Sequence, residues 1–348
     1  MLKKITIITI ASFFALILFE IFLKYSPFEY GTSPVIYDKE IGMWHKKNFS
    51  GYTIKECYKT KFIFDNKGLP KSIYNYDKNK KDIVILGDSL IEAIMVKNKN
   101  IIHNSLAKEF NNKYNFLNYG LSGSSPVQQF IILKNKIDLS NVKYVIHFVN
   151  LDGDLRDVDK KNLNKLARPK VYIEFKTLND YKIIPPRKKN LYDTFGDLLG
   201  DYQIYFFIKK SLYYIQNNIL KTQHQIHNKK DISISHIKDT TTSKHSLINM
   251  QKLSKNWLYL QGAIHQIKKY IKSINNKTIY KIIVISKNSK NIEIIKKFLN
   301  KEKIEFVILN EIANKTGISL NGFSCDKHWN DKTHQQIAKL IKDIKFIK

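Results

Sequence analysis

The chain has 348 residues, 43% of them hydrophobic, which is enough for one elaborated α/β domain with a large core. Its formal net charge of +29 would suit an anionic partner, yet only three of its 59 basic residues are arginine. Proteins that read phosphates and bases rely on arginine forks, and here lysine is spread along the whole chain. The composition therefore argues against nucleic-acid binding.

The first predicted element is a membrane-spanning helix. Ile5 to Leu23 is an apolar run whose one charge is Glu20, and a helix of this length spans about 28 Å. The run is longer than the apolar region of a cleavable signal peptide, and no small-x-small cleavage site follows it. We therefore predict an uncleaved signal anchor over residues 1–24, with a cleavable signal peptide as the rival interpretation.

Charges at the ends of this helix indicate its orientation. Lys3 and Lys4 precede the apolar run, which places the N-terminus in the cytoplasm and the rest of the chain in the periplasm or another extracytoplasmic space. Glu20 and Lys24 are four residues apart, so we expect them to pair near the outer interface.

Residues 25–80 predict a small N-terminal layer of short strands and loops. Thr60 to Phe64 alternates polar and apolar residues, and the turn residues Asn66 and Gly68 follow. Cys57 lies in this layer, and the other cysteine is Cys325. An oxidising compartment would permit a disulfide, but the spacing is weak evidence, and the sequence favours two free thiols.

An α/β domain is predicted over residues 81–348. Short apolar runs typical of buried parallel strands alternate with helical patterns, which predicts a doubly wound parallel sheet. The predicted strands are Ile83 to Leu86, Phe116 to Tyr119, Val142 to Val149, Ile279 to Ile285 and Phe306 to Leu309, and the predicted helices are 100–111, 127–138, 249–274, 290–303 and 331–346.

An insertion at about 155–247 interrupts this rhythm. It begins with a predicted hairpin that ends in a Pro-Pro turn, followed by an aromatic amphipathic segment over residues 202–220. Residues 221–246 are polar and aperiodic, and predict a flexible surface loop. The loop's histidines lack acidic partners at helical spacing, so no metal site is expected; they are His224, His227, His236 and His245.

Loops after the first three strands should meet at one edge of the sheet, where ligands bind in open α/β folds. The first is Gly87-Asp88-Ser89, the second is 118–126 and the third is 148–157. A fourth segment, before the last helix, brings Asp326 and His328 to the same edge.

These residues supply the parts of a serine hydrolase. A hydroxyl such as that of Ser89 needs a base, which His328 can provide, and Asp326 can fix the imidazole tautomer. The developing oxyanion needs donors, for which we predict the backbone N–H groups of Ser89 and Gly123 and the side chain of Asn150. The plain alternative is that Ser89 caps a helix and His328 is a packed histidine beside a tryptophan.

Three motifs resemble the GDSL, or SGNH, hydrolase family: GDSL at 87–90, NYGLSG at 118–123 and DKHWN at 326–330. The resemblance implies a flavodoxin-like three-layer α/β/α fold. It also implies Ser89 as nucleophile, completed by Asp326 and His328, with Gly123 in the oxyanion hole. Members are esterases, lipases and carbohydrate deacetylases.

Two features depart from the family pattern. Asp326 lies two residues before His328 instead of the usual three, a variant known in some members. The third motif of the family is Gly-x-Asn-Asp, whereas residues 150–154 here read Asn-Leu-Asp-Gly-Asp. Either Asn150 or Gly153 could occupy the position of the family's asparagine.

The leading hypothesis is a membrane-anchored, extracytoplasmic esterase that acts on acyl esters, such as acetyl groups, of envelope glycans or lipids. No metal or organic cofactor is implied. An O-acyltransferase with the same triad is an alternative, because only the acceptor of the acyl group differs. A non-catalytic glycan-binding or scaffold protein with a degenerate site is the other alternative.

Overall fold

A computed structural model describes residues 2–26, 30–158, 169–212, 214–215 and 241–348. The chain forms two compact units, one of residues 1–33 and 191–250 and the other of residues 34–190 and 251–348. The α-helices are α1 (Leu2–Tyr25), α2 (Ser89–Glu92), α3 (Ile102–Glu109), α4 (Pro126–Lys136), α5 (Leu151–Asp157), α6 (Leu191–Leu199), α7 (203–212), α8 (Thr241–Ile274), α9 (Ser289–Lys301), α10 (Leu309–Lys315) and α11 (Asp331–Asp343).

The strands are short and pair locally or in one central sheet. They are β1 (Val35–Asp38), β2 (Gly42–His45), β3 (Ser50–Lys55), β4 (Tyr58–Ile63), β5 (Asp82–Gly87), β6 (Asn115–Gly120), β7 (Val142–Asn150), β8 (Tyr172–Phe175), β9 (Tyr181–Ile184), β10 (Ile279–Ile285), β11 (Glu305–Ile308), β12 (Gly322–Phe323) and β13 (Asp326–Trp329).

The central sheet has five parallel strands in the order β11-β10-β7-β5-β6. Chain order reverses at β5, where β6 and β7 flank it, as in flavodoxin-like folds. Side chains of β5 alternate between two separate cores: Val84 packs with α4, α8 and α9, whereas Ile85 packs with α3, α10 and α11. The predicted three-layer α/β/α fold is confirmed, and each predicted strand is present.

The remaining described strands form antiparallel hairpins outside this central sheet. β1 pairs with β2, β3 with β4, β8 with β9 and β12 with β13. The β8–β9 pair is the hairpin expected at the start of the insertion. The predicted division of the chain into domains, with boundaries at residues 24 and 80, stays a prediction.

A disulfide joins Cys57, in the turn between β3 and β4, to Cys325, directly before β13. The expectation of two free thiols was therefore wrong. The fold brings the two Cα atoms to 5.7 Å although 268 residues separate them along the chain. Sequence spacing could not indicate this contact, because it depends on packing of the β3–β4 hairpin against the β12–β13 hairpin.

The first unit contains α1, α6 and α7. Of the helices that the structure describes, α1 is the one long and apolar enough to cross a membrane. The predicted pairing of Glu20 with Lys24 is wrong. The carboxylate of Glu20 instead accepts hydrogen bonds of 2.8 Å from the backbone N–H groups of Gln203 and Ile204. The first turn of α7 offers unpaired N–H donors, and these satisfy a carboxylate better than one mobile lysine.

Two predictions for the insertion concern residues that lie wholly or partly outside the described part of the chain. Most of the predicted flexible loop, with His224, His227 and His236, lies outside the described residues. Helix α8 begins at Thr241 instead of near residue 249, so His245 falls within a helix, and its side chain is outside the description.

Candidate active site

Strand β5 ends at the edge of the sheet, and Ser89 lies in the turn that follows it. Its last residue is Gly87, and α2 begins two residues later with Ser89. The cap of α2 is Asp88, whose Oδ1 accepts a hydrogen bond from the N–H of Leu90 at 2.9 Å. The side chain of Asp88 therefore serves the turn, and the hydroxyl of Ser89 is not used as the helix cap.

The structure brings Ser89, His328 and Asp326 together in a line. The hydroxyl of Ser89 lies 2.8 Å from Nε2 of His328, and Nδ1 of His328 lies 2.5 Å from Oδ1 of Asp326. The same Oδ1 accepts the backbone N–H of His328 at 3.2 Å. Because an ionised Asp326 can only accept hydrogen bonds, Nδ1 of His328 is the donor in this contact.

The second oxygen of Asp326 contacts the β3–β4 hairpin. Lys55 Nζ donates to Oδ2, and the hydroxyl of Tyr58 donates to it over 3.1 Å. Burial alone would raise the pKa of Asp326, but the hydrogen bonds from Lys55 and His328 hold it well below its usual range. Burial, helped by the charge of Asp326, raises the pKa of Tyr58 to about 12, so its hydroxyl stays a donor.

The loop after β6 is fixed to the end of β5. The carbonyl of Gly87 accepts both the N–H of Leu121 and the hydroxyl of Ser124, each at 3.1 Å. Gly123 has a φ of +70°, a left-handed conformation that favours glycine. Its carbonyl accepts a hydrogen bond from Lys170 Nζ, which holds the peptide in one orientation.

Gly120 has a packing role at the start of this loop. A Cβ atom at this position would lie 2.3 Å from the backbone nitrogen of Glu92. The glycine therefore lets β6 approach α2 closely.

A buried polar chain also supports the loop. Glu92, in α2, is fully buried; its carboxylate lies 2.6 Å from Nε2 of His45 and accepts the hydroxyl of Ser122. Nδ1 of His45 lies 2.7 Å from the carbonyl of Gly68. Burial alone would raise the pKa of Glu92, but the hydrogen bond and charge of His45 lower it. A buried chain of hydrogen bonds therefore links the N-terminal layer, α2 and the loop that carries Gly123.

Asn150, at the end of β7, lies beside the serine turn. One N–H of its amide donates to Oδ2 of Asp88 over 3.1 Å, which leaves the second N–H for another acceptor. Its backbone N–H donates to Oδ2 of Asp154 at 2.8 Å. Burial, reinforced by the charge of Asp88, raises the pKa of Asp154 well above its ordinary value. Gly153 underlies this amide, since a Cβ there would lie 3.3 Å from Asn150 Nδ2.

Several residues around the site were missed by sequence reasoning. Lys55 and Tyr58 give no signal near the motifs, because they reach Asp326 across 271 and 268 residues of sequence. Glu92 did give a sequence signal. An acidic residue three positions after Ser89, in an otherwise apolar run, predicts a buried and paired carboxylate.

The neighbouring histidine of α11 has a structural role. The ring of His334 is fully buried and meets Trp329 edge-on, 5.8 Å between centroids. Burial lowers its pKa to about 3, so it is neutral. Within the described residues, no group of three or more His, Cys, Asp or Glu side chains could hold a metal ion.

No family model matches this chain, and no curated protein matches it. Among solved structures, one described as a carbohydrate esterase with divergent catalytic and non-catalytic binding functions is 11% identical, covering 91% of this chain and 87% of its own (TM-score 0.40). An acetyl xylan esterase from Butyrivibrio proteoclasticus is 12% identical, covering 78% and 65% (TM-score 0.39). A carbohydrate esterase family 2 enzyme from Corynascus thermopiles is 10% identical, covering 79% and 68% (TM-score 0.36). Likenesses this weak carry no argument about this chain.

Proposed function

We propose that this protein is a serine esterase or deacylase in which Ser89, His328 and Asp326 form the catalytic triad. The observation that carries the proposal is the continuous hydrogen-bonded line from Ser89 Oγ through the imidazole to Asp326. A base within hydrogen-bond reach of the nucleophile, itself oriented by a carboxylate, is the arrangement that activates a serine hydroxyl. Ser89 and His328 are also partly exposed, so an ester can reach them.

The reaction would proceed in two halves. The hydroxyl oxygen of Ser89 attacks the ester carbonyl while its proton moves to Nε2 of His328, and Asp326 stabilises the resulting imidazolium. The imidazolium then gives the proton to the departing alcohol, which leaves an acyl group on Ser89. Water, deprotonated by the same imidazole, attacks this acyl group and releases the acid, and His328 returns the proton to Ser89.

The oxyanion of each half-reaction needs preorganised donors. We assign this role to the backbone N–H groups of Ser89 and Gly123 and to the free N–H of the Asn150 amide. Asp88, which holds the amide of Asn150, would keep that donor in place, and Lys170 fixes the peptide that follows Gly123.

The proposed compartment limits which substrates the protein can meet. We propose that α1 is a signal anchor and that the catalytic unit lies outside the cytoplasm, where the Cys57–Cys325 disulfide is compatible with the redox conditions. Acyl esters of envelope carbohydrates or lipids, acetyl esters in particular, are the substrates available there. The triad by itself requires no metal or organic cofactor.

Labelling with a serine-directed fluorophosphonate tests the triad. We expect the full-length protein to react, and we expect Ser89→Ala to lose both labelling and hydrolysis of a short acyl ester, the latter by on the order of 10⁶-fold in kcat. The matched control is Ser273→Ala, which changes an exposed serine of α8 and should label fully. Equal labelling of Ser89→Ala would overturn the proposal by showing that another residue is the nucleophile. No labelling of folded wild-type protein would overturn it too and would favour a non-catalytic scaffold.

A further inference from the structure

Helices α6 and α7 expose apolar stripes that the esterase chemistry does not use. On α6 the stripe is Leu191, Phe195 and Leu198, spaced i, i+4 and i+7, and these side chains are 76%, 54% and 67% exposed. This spacing places all three on one face of the helix. The opposite face carries Asp193 and Asp197.

Helix α7 repeats the pattern. Ile208 and Leu212 lie on one face and are 50% and 61% exposed, and Ile215, in helical conformation, continues the same face with 53% exposure. Lys210 lies on the opposite side. Two adjacent amphipathic helices with large apolar residues facing outward are unusual for a surface that meets only water.

The attachment to α1 indicates what meets this surface. Glu20 accepts the first backbone N–H groups of α7, from Gln203 and Ile204, and the ring of Phe207 packs edge-on against Phe19 at 5.4 Å between centroids. Glu20 lies five residues before the end of α1, about 7.5 Å along the helix axis. The start of α7 is therefore held near the end of the proposed membrane span.

The pairing also fits a position at the edge of the hydrocarbon. A carboxylate in an apolar helix is costly without partners, and so are the unpaired N–H groups at the start of a helix. Here each satisfies the other. The N–H of Ser33 donates to the carbonyl of Gly200 at 2.8 Å, which ties the chain leaving α1 to the connection between α6 and α7.

We propose that α6 and α7 lie in the outer membrane–water interface, with their apolar stripes inserted at the boundary between lipid headgroups and acyl chains. The proposal rests on membrane insertion of α1, but not on the esterase chemistry. Acidic residues on α6 offset the lysines of α7, so burial of apolar surface, and not attraction to anionic lipid, is the driving force. The protein would be held to the membrane by a span and by an interfacial pair of helices.

Single-cysteine labelling of the full-length protein tests this in vesicles of zwitterionic lipid. Both native cysteines are in the disulfide, so an introduced thiol can be labelled selectively with an environment-sensitive fluorophore. The probe positions are Leu198→Cys and Leu212→Cys on the stripes, Leu16→Cys within α1, and Lys210→Cys as the matched control on the opposite face of α7. Spin-labelled lipids then act as quenchers at known depth.

We expect the stripe positions to be quenched at least twice as strongly as Lys210→Cys, and more by a quencher near the headgroup than by one near the chain end. Interfacial helices insert their apolar face by about 5–10 Å, whereas Leu16→Cys should respond most to the deep quencher. Adding anionic lipid should change none of this.

Two outcomes overturn the inference. If Leu16→Cys is quenched but the stripe positions are not, the anchor inserts while α6 and α7 contact water or another protein, and the proposal fails alone. If Leu16→Cys is not quenched either, membrane insertion of α1 fails, and the inference fails with it.

Discussion

At the scale of single residues, the turn after β5 gives helix capping and the contact with His328 to two neighbouring side chains. Asp88 caps α2 and receives the Asn150 amide, while Ser89, the next residue, faces His328. A serine that capped the helix would have its hydroxyl tied to a backbone N–H. Because Asp88 caps the helix instead, the hydroxyl of Ser89 is available to contact His328.

The role of Asn150 can be measured directly. If its free N–H stabilises the oxyanion, Asn150→Ala should lower kcat by about 10²–10³-fold with little change in KM, because the interaction forms in the transition state. Steady-state kinetics with a short acyl ester measure both constants. Asn288→Ala, which changes an asparagine that caps α9, is the control and should leave kcat unchanged. A loss of less than about threefold in Asn150→Ala would contradict the assignment.

Asp154 predicts a pH dependence of stability. Its pKa is raised by burial, so the folded state keeps the proton while the unfolded chain loses it near pH 4. The stability that this proton contributes is fully present below the unfolded pKa, and it is lost as pH rises toward the raised folded pKa. The free energy of unfolding should therefore fall by up to about 1.4 kcal/mol per pH unit above pH 4 through this residue.

Asp154→Asn should remove that slope, because an amide carries no titrating proton and can still accept the N–H of Asn150. Urea unfolding in detergent at pH 4.5 and 7.5, compared with the wild type, measures the difference. Asp157→Asn, which changes a partly exposed carboxylate at the end of α5, should keep the wild-type slope. Parallel curves for the wild type and Asp154→Asn would show that Asp154 is ionised in the folded protein.

At the scale of elements, the β3–β4 hairpin acts as a clamp on the segment that carries His328 and Asp326, the proposed base and its acid. Lys55 and Tyr58 flank the turn that contains Cys57, and they contact Asp326, the neighbour of Cys325. The covalent bond and the two hydrogen bonds therefore act on adjacent residues of the same segment.

Breaking the disulfide should affect both stability and catalysis. For the Cys57→Ser/Cys325→Ser protein we expect a loss of about 2–5 kcal/mol in unfolding free energy, because the crosslink closes a very long loop. We also expect kcat to fall about 10–100-fold as Asp326 loses donors, since hydrogen bonds to charged groups contribute about 1.5–3 kcal/mol each. Dithiothreitol should reproduce the effect in the wild type and leave the double variant unchanged. Full kcat after reduction, verified by thiol titration, would refute the clamp.

These elements mark how far the sequence alone could lead. Strands such as β5 and β7 were predictable because buried parallel strands are continuous apolar runs, and the edge residues follow from strand ends. The hairpin clamp, the Lys170 contact and the His45–Glu92 pair were not predictable. Each joins residues 47 or more positions apart, and tertiary packing, not local pattern, creates it.

At the scale of the whole molecule, apolar surface is distributed unequally between the two units. The side chains of the central strands, such as Ile83 and Val145, are fully buried, whereas those of α1, such as Ile7 and Leu18, are about two-thirds exposed. A helix with apolar residues on all sides is stable in lipid, where its backbone groups are satisfied internally. Helix α1, in the first unit, is therefore suited to a membrane.

The orientation of the anchor and the redox state of the cysteines should change together. The positive-inside tendency depends on Lys3 and Lys4, so Lys3→Glu/Lys4→Glu should invert a fraction of the chains and place their catalytic unit in the cytoplasm. There the cysteines should stay reduced, because cytoplasmic thiols are kept reduced. Cells lysed directly in denaturant with a maleimide polymer, followed by a gel shift, count reduced chains, and protease added outside intact cells counts protected ones. Lys287→Glu/Lys290→Glu, which makes the same charge change at two exposed lysines of the second unit, is the control. The two fractions should rise in step; chains that are protease-protected yet fully disulfide-bonded would separate the disulfide from the compartment and leave the proposed localisation without this support.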